Sequence, residues 1–179
     1  MSDAPQNPAS SDPEAGAAKA QTQPRLSILQ QYVKDLSFEN PRAPLTFQAG
    51  QARPEIQVHV DVSVRDMTND RYEISLKIDA EAKVDGNRAF FNQLDYCGIF
   101  VVSDLPENTL QPVLLIECPR LLFPFARRII ADCTRDGGFP PLMLDPVDFV
   151  SLYRRRLEQA KASQAAEQAA GQTPQTPLN

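Results

Sequence analysis

The sequence predicts an α+β fold, a four-stranded antiparallel sheet followed by two helices. Three observations lead there. Four segments between residues 28 and 101 alternate apolar and polar side chains at period two, which marks strands with one buried face. Only tight turn signals separate the last three, so these strands form an antiparallel meander. Past residue 105 the apolar spacing changes to i, i+3, i+4, i+7, the period of a helix with one buried stripe.

Residues 1–24 hold four prolines among Ala, Gln and Ser and have almost no large apolar side chains. Such a segment cannot offset the entropy of ordering, so a disordered N-terminal extension is expected. The first strand covers Ile28 to Phe38. Tyr32, Lys34, Leu36 and Phe38 fall on one face and Val33, Asp35, Ser37 and Glu39 on the other. Asn40 to Pro44 is a turn, followed by a loop to Pro54. That connection is long for a hairpin, and long loops in compact domains are often functional.

The second strand is the cleanest. Ile56, Val58, Val60, Val62 and Val64 alternate with Gln57, His59, Asp61 and Ser63. After a turn through Thr68-Asn69, the third strand sets Tyr72, Ile74, Leu76, Ile78, Ala80 and Ala82 against Glu73, Ser75, Lys77, Asp79 and Glu81. Asp85-Gly86-Asn87 is a hairpin signal. The fourth strand runs from Ala89 to about Val101, with Leu94, Tyr96 and Phe100 in register.

Residues 105–136 read as helical, with Leu122, Phe125, Ala126, Ile129, Ile130 and Cys133 on one stripe, Pro119 opening a helix or sitting at a kink, and a bend expected at Pro124. Gly137-Gly138 closes this helix. Asp145 is the expected N-cap of the second helix, with Pro146 at its first position. Phe149, Leu152, Tyr153 and Leu157 form its apolar stripe. The ordered domain is therefore expected over residues 25–157, with residues 158–179 as a second disordered tail.

Two helices cover one face of a sheet. The first helix is apolar over more of its girth than that requires, with Val113, Leu114, Leu115, Ile116, Leu121, Leu122, Phe123 and Phe125. The first strand also brings apolar groups to a sheet edge, where pairing with another copy is favoured. Both point to a symmetric oligomer, a dimer or a dimer of dimers.

Composition narrows the function classes. A net charge of −5 and a pI near 4.9 argue against nucleic-acid binding. No apolar run approaches the ~18 residues of a membrane span. The N-terminus has no basic-then-apolar leader, and the three cysteines, Cys97, Cys118 and Cys133, have no Cys-x-x-Cys spacing. Reduced thiols in a cytoplasm fit that set better than disulfides.

The residues offer little chemistry. A single histidine, His59, excludes a multi-histidine zinc site within one chain. No nucleotide loop or nucleophile elbow is present. Asp35 and Glu39 lie roughly 13 Å apart along a strand, too far for a glycosidase pair. The sheet half is acidic: Arg25 to Leu110 holds 13 acidic and 9 basic residues, against 7 and 8 from Gln111 onward. An open acidic face attracts basic partners. Arg154-Arg155-Arg156 reads as a solvated run or a docking element. No catalytic residue, metal site or cofactor is expected.

Several longer motifs are recognisable. Cys118-Pro-Arg-Leu-Leu-Phe-Pro-Phe-Ala-Arg127 followed by Gly138-Phe-Pro-Pro-Leu-Met-Leu-Asp-Pro-Val-Asp-Phe149 resembles the SecB family of bacterial protein-export chaperones. Lys34-Asp-Leu-Ser-Phe-Glu39, the Pro41-x-Ala-Pro44 that follows, and Gly98-Ile-Phe100 are similar to it as well, and the likeness runs from about Ile28 to Leu157. The resemblance implies a cytoplasmic homotetramer, a dimer of dimers, without enzymatic activity. Such a protein binds unfolded precursor polypeptides, keeps them translocation-competent and delivers them to the SecA ATPase. Asp35 and Glu39 match positions that receive the zinc-bearing basic tail of SecA; Phe91 and Gln93 match further positions of that contact. The zinc belongs to SecA. Clients lie in apolar grooves, for which Phe38, Phe47, Phe139, Leu142, Phe149 and Tyr153 are the candidates here.

The chain departs from the family pattern in three places. Gln51 or Ala52 stands near a usual loop Trp, Gln93 replaces an acidic residue, and the N-terminal extension is longer. Two alternatives stay open at this point. One is a SecB-like chaperone dedicated to a single partner such as an antitoxin; the other is a small hydrolase or thiol enzyme.

Overall fold

The protein is described here from a computed structural model over residues 25–47 and 53–170. Four strands, β1 (Arg25–Glu39), β2 (Glu55–Met67), β3 (Arg71–Val84) and β4 (Asn87–Ser103), form one antiparallel sheet in the order β1-β4-β3-β2. The β2-β3-β4 meander is as the alternation predicts. Its turns need left-handed backbone, supplied by Asn69 (φ 64°), Asp70 (55°), Asp85 (51°) and Gly86 (75°). Positive φ at two central residues matches the twist of a tight hairpin. β1 then lies outside β4, so β1 and β2 are the two edges. The long connection from Asn40 is no hairpin loop. It crosses the width of the sheet, three strand spacings or roughly 14 Å, and makes a short 3₁₀ turn at Leu45–Phe47 on the way. Gln51 and Ala52 lie outside the described residues, as do residues 1–24, expected to be disordered, and residues 171–179, the last part of the tail expected over 158–179.

The helices cover the face that carries Val62, Ile74, Leu76, Ile78, Leu94 and Phe100. Leu114, Leu122, Ala126 and Ile130 complete that core. Helix and sheet approach closely at Gly98, where an added Cβ would stand 2.8 Å from Leu122.

The first strand corrects the period-two reading. Leu29 and Lys34 have no partner on β4, because the register steps between Ile28 and Gln30 and again between Val33 and Asp35. Each bulge inserts one residue and restarts the alternation. Val33 therefore joins Leu36 and Phe38 on the helix side, opposite Tyr96, Leu94 and Asn92. Tyr32 moves to the outer face, where its hydroxyl hydrogen-bonds Glu73. Lys34 reaches the same carboxylate at 3.4 Å.

Helical structure begins at α1 (Glu107–Pro112), continues through a π-helical turn over Val113–Glu117, and becomes α2 (Cys118–Asp136). The irregularity sits ahead of Pro119, one of the two prolines where it is expected, and not at Pro124, which α2 contains without interruption. Pro119 has no N–H for the carbonyl four residues back, and the Cys118 N–H bonds Val113 O five residues back instead. The second long helix, α3 (Phe149–Ala170), differs at both ends from expectation. Its cap is Asp148, not Asp145: the Asp148 carboxylate accepts the Ser151 N–H at 3.0 Å and the Ser151 hydroxyl at 2.7 Å. These bonds hold the Asp148 carboxyl below its ordinary range. At the other end the helix persists to Ala170. From Arg154 to Gln164 every residue is exposed, so Ala, Gln, Glu and Lys sustain the helix by propensity, not packing.

Candidate functional site

Three apolar features and one polar face remain open to solvent. The first is an aromatic cluster built from four separate places in the chain. Phe90 of β4 stacks on Phe38 of β1 at 5.8 Å and meets Phe139 at 4.9 Å. Phe139 in turn lies 6.5 Å from Phe38 and 5.5 Å from Phe47. The two glycines after α2 make this possible. A Cβ on Gly137 would stand 2.3 Å from the Phe38 ring, and one on Gly138 would stand 2.8 Å from Phe47. Gly138 also takes φ 86°, so the pair both turns the chain and seats two rings. Thr134 holds the returning segment, accepting the Leu142 N–H on its hydroxyl at 2.9 Å while its own carbonyl accepts the Phe139 N–H at 3.0 Å. Phe47 is 50% exposed, so the cluster opens to water on that side.

The second feature is a cleft of about 490 Å³ between the open edge of β2 and α3. Val58, Val62, Leu115, Val147, Leu152 and Tyr153 line it, and Arg155, Arg156, His59 and Asp61 stand at its rim. Beyond these, an apolar strip remains uncovered on the helix side of β1 and along α2. Val33 (44%), Leu36 (42%), Leu121 (43%) and Phe125 (46%) are its centre. Phe125 stacks over Tyr96 at 6.4 Å without being covered itself.

The outer sheet face is polar and paired. Glu73 is buried (4% exposed) under Arg65, whose Nε is 2.8 Å away, with Lys34 and Tyr32 beside it. The Tyr32 hydroxyl donates to that carboxylate, which pushes the Tyr32 pKa up to about 12 and holds Glu73 below its usual range. Farther along, Arg88 lies 4.7 Å over the Phe91 ring and bonds Glu81 at 2.8 Å. The Gln93 amide donates to Asp79 at 3.3 Å, and the Ser75 hydroxyl donates to Asp95.

These surfaces sort the sequence candidates. Asp35, Glu39, Phe91 and Gln93 come together on the outer face, since Glu39 pairs with Phe91, Ser37 with Gln93 and Asp35 with Asp95. Phe38, Phe47, Phe139 and Leu142 share the aromatic cluster. Tyr153 belongs to the cleft instead. Phe149 lines neither surface: it is 1% exposed and meets Phe123 edge-on at 6.1 Å in the core. Sequence reasoning missed Phe90, although strict alternation back from Leu94 puts it on the helix side. It also missed Asp79 and Asp95, which only strand register brings beside Gln93 and Asp35.

Among the described residues no thiol or imidazole is poised for covalent chemistry. Burial pushes the Cys97 and Cys118 thiols up to about 12 and raises Cys133 as well, so all three stay protonated near neutrality. His59 is exposed on an edge strand. Among the described residues, no group of three or more His, Cys, Asp or Glu is placed to hold a metal ion, and no helix is long and apolar enough to cross a membrane. An apolar cleft, a surface aromatic cluster and an uncovered apolar strip around an inert polar sheet describe a protein that binds other polypeptides.

Comparison with known proteins narrows this class. The family model described as preprotein translocase subunit SecB matches residues 19–160. The protein-export protein SecB of Parvibaculum lavamentivorans is 54% identical over 151 residues, covering 84% of this chain and 90% of that protein. The SecB of Maricaulis maris is 48% identical over 171 residues, covering 96% and 95%. Among solved structures, a SecB-like chaperone of Mycobacterium tuberculosis in complex with an antitoxin peptide shares the fold. Its TM-score is 0.58 at 16% identity, over 69% of this chain and 91% of that one. The chain belongs to the SecB family of protein-export chaperones, which are not enzymes.

Proposed function

We propose that this chain works in the cytoplasm as a homotetramer, a dimer of dimers, that holds unfolded precursor polypeptides and hands them to SecA. The observation that carries the reading is the aromatic cluster of Phe38, Phe47, Phe90 and Phe139, partly open to water beside Leu142. A surface group of rings offers large, sequence-tolerant apolar contact, which suits a binder of many unfolded chains. Tyr153 extends client contact into the cleft. Holding needs no nucleotide, because preferential binding to the unfolded state acts by mass action. The uncovered strip of Val33, Leu36, Leu121 and Phe125 is the surface for subunit association.

On the outer face, Asp35, Glu39 and Phe91 are the proposed contacts for the zinc-bearing basic tail of SecA. Gln93 carries no charge, but Asp79 and Asp95 flank it and keep the patch acidic. Tail binding should therefore survive the loss of the family's acidic residue at that position. Two measurements test the proposal. Light scattering should give about four times 19.9 kDa, and the protein should slow refolding of an unfolded precursor. A strict monomer without effect on refolding overturns the reading. Asp35→Lys with Glu39→Lys should weaken SecA binding at low salt and leave client holding intact; unchanged SecA affinity removes both residues from that contact.

A further inference from the structure

Arg88 is a cation set into the acidic outer face, and strand register puts it there. The β3–β4 register steps between Ala82 and Lys83, so Lys83 lies opposite Arg88 and Ala89 is the extra residue on β4. That bulge restarts the alternation. Ala89 stays buried beside Phe90, while Arg88 turns outward over Phe91. One row across the outer face then reads Glu39, Phe91 and Glu81, on β1, β4 and β3. Arg88 meets all three. Its Nε bonds Glu81 at 2.8 Å, its guanidinium carbon lies 4.7 Å from the centre of the Phe91 ring, and its Nη1 stands 3.9 Å from Glu39. The contacts differ in strength. Lys83 joins Arg88 on Glu81 at 3.2 Å, and the two cations, Arg88 foremost, hold the Glu81 carboxyl below its ordinary range. The Glu39 contact is too long for a hydrogen bond, and the Glu39 side chain is 59% exposed. Arg88 is therefore tied to Glu81 and only rests against Glu39.

We propose that Arg88 is a built-in competitor for the basic segment of SecA: it occupies the face of the Phe91 ring and the charge of Glu39, and must swing aside before a lysine or arginine of the partner takes them. This rests on the SecA reading above and adds to it a residue that sets the affinity. A cation over an aromatic face and a cation beside a carboxylate are the contacts that an incoming basic side chain would itself make. The row of Glu39 and Phe91 cannot offer them twice. The Glu81 bond decides which way Arg88 goes. It anchors the guanidinium on the β3 side, so Arg88 leaves Glu39 without losing its own partner. Farther along the face, Asp79 and Asp95 accept from the uncharged Gln93 and Ser75, so the competition is confined to the Glu39 end.

The test uses the full chain and zinc-loaded SecA, titrated by calorimetry at low salt. Arg88→Gln should bind SecA about fivefold tighter than wild type, the range of one exposed ion pair and one exposed cation–π contact. Lys161→Gln makes the same change of net charge on the exposed part of α3 and should bind like wild type. Phe91→Ala should cost more affinity in the Arg88→Gln background than by itself, because only there is the ring free for the partner. Arg88→Thr, whose side chain suits a strand, should show the same gain and serves if Arg88→Gln does not fold. Affinity at or below wild type in the Arg88 variants, a matching gain in Lys161→Gln, or an equal cost of Phe91→Ala in both backgrounds overturns this inference. If Asp35→Lys with Glu39→Lys still weakens SecA binding, the SecA reading stands without it. Unchanged binding in that variant and in Arg88→Gln overturns both.

Discussion

Gly137→Ala isolates the packing that builds the aromatic cluster. Gly137 has φ −71°, which any residue adopts, so backbone strain does not enter. The added methyl would stand 2.3 Å from both Cε1 and Cζ of Phe38, far inside contact distance. One of the two must move. If the ring leaves, it forfeits its stacking on Phe90 at 5.8 Å and its contact with Phe139 at 6.5 Å, each worth ~0.5–1.5 kcal/mol. If the helix end shifts instead, overpacking costs about 1–3 kcal/mol. Either route gives roughly 2 kcal/mol, or about 4–8 °C in thermal midpoint for a chain of this size. The control is Phe38→Ala. With the ring gone, the added methyl meets only Cys133 O at 3.2 Å, a tight contact rather than an overlap, so Gly137→Ala should cost much less and the double-mutant cycle should return a coupling of about 2 kcal/mol. Both melts are run at one chain concentration, because association shifts the midpoint. Peptide binding should fall with Gly137→Ala as the cluster is disrupted. Additive costs in the cycle, or a Gly137→Ala midpoint equal to wild type, refute the steric account.

Three further outcomes follow from the same contacts. Glu73 is held below its usual range, so the stability it contributes is present above its unfolded pKa and lost as pH falls through the folded value. Tyr32 is raised to about 12, so its contribution is complete below pH 10 and lost as pH climbs toward 12. Glu73→Gln should flatten both flanks of a stability-against-pH curve and lower stability at pH 7 by roughly 1 kcal/mol, because Lys34 and Arg65 are exposed and rehydrate; an unchanged curve removes the Glu73 network from the balance. Thr134→Val leaves the Leu142 N–H without its acceptor and should lower stability in urea melts by about 1–3 kcal/mol; wild-type stability would mean that this bond does not hold the segment. Phe125→Asp with Val33→Asp places charges on the uncovered strip and should reduce the mass seen by light scattering. Unchanged mass places the subunit contacts elsewhere.

Much of the fold was legible from local order. Alternation at Ile56 to Val64 and at Tyr72 to Ala82 recurs as β2 and β3 with the expected faces. The Asp85-Gly86 turn appears where the hairpin signal puts it, and Gly137 ends α2. Family motifs in the right order carried the identity. The misses have a common cause: they depend on partners distant in sequence. The bulge at Lys34 is a mismatch with β4, so alternation within β1 could not reveal that Val33, not Tyr32, faces the helices. Asp145 and Asp148 both have the chemistry of a cap, and only the backbone decides which carboxylate meets the Ser151 N–H.

By itself the sequence determined the periods, the turns, the stock of rings and charges, and the family, because each is written in neighbouring residues. Tertiary structure alone decided that Phe38, Phe47, Phe90 and Phe139 converge, that Phe149 is spent in the core, and that Arg156 reaches Val62. The reason is geometric. Whether a side chain meets solvent, a ring or a carbonyl depends on how β1, β4 and the helices are set against one another, and strand register and helix docking set that only when the whole chain packs.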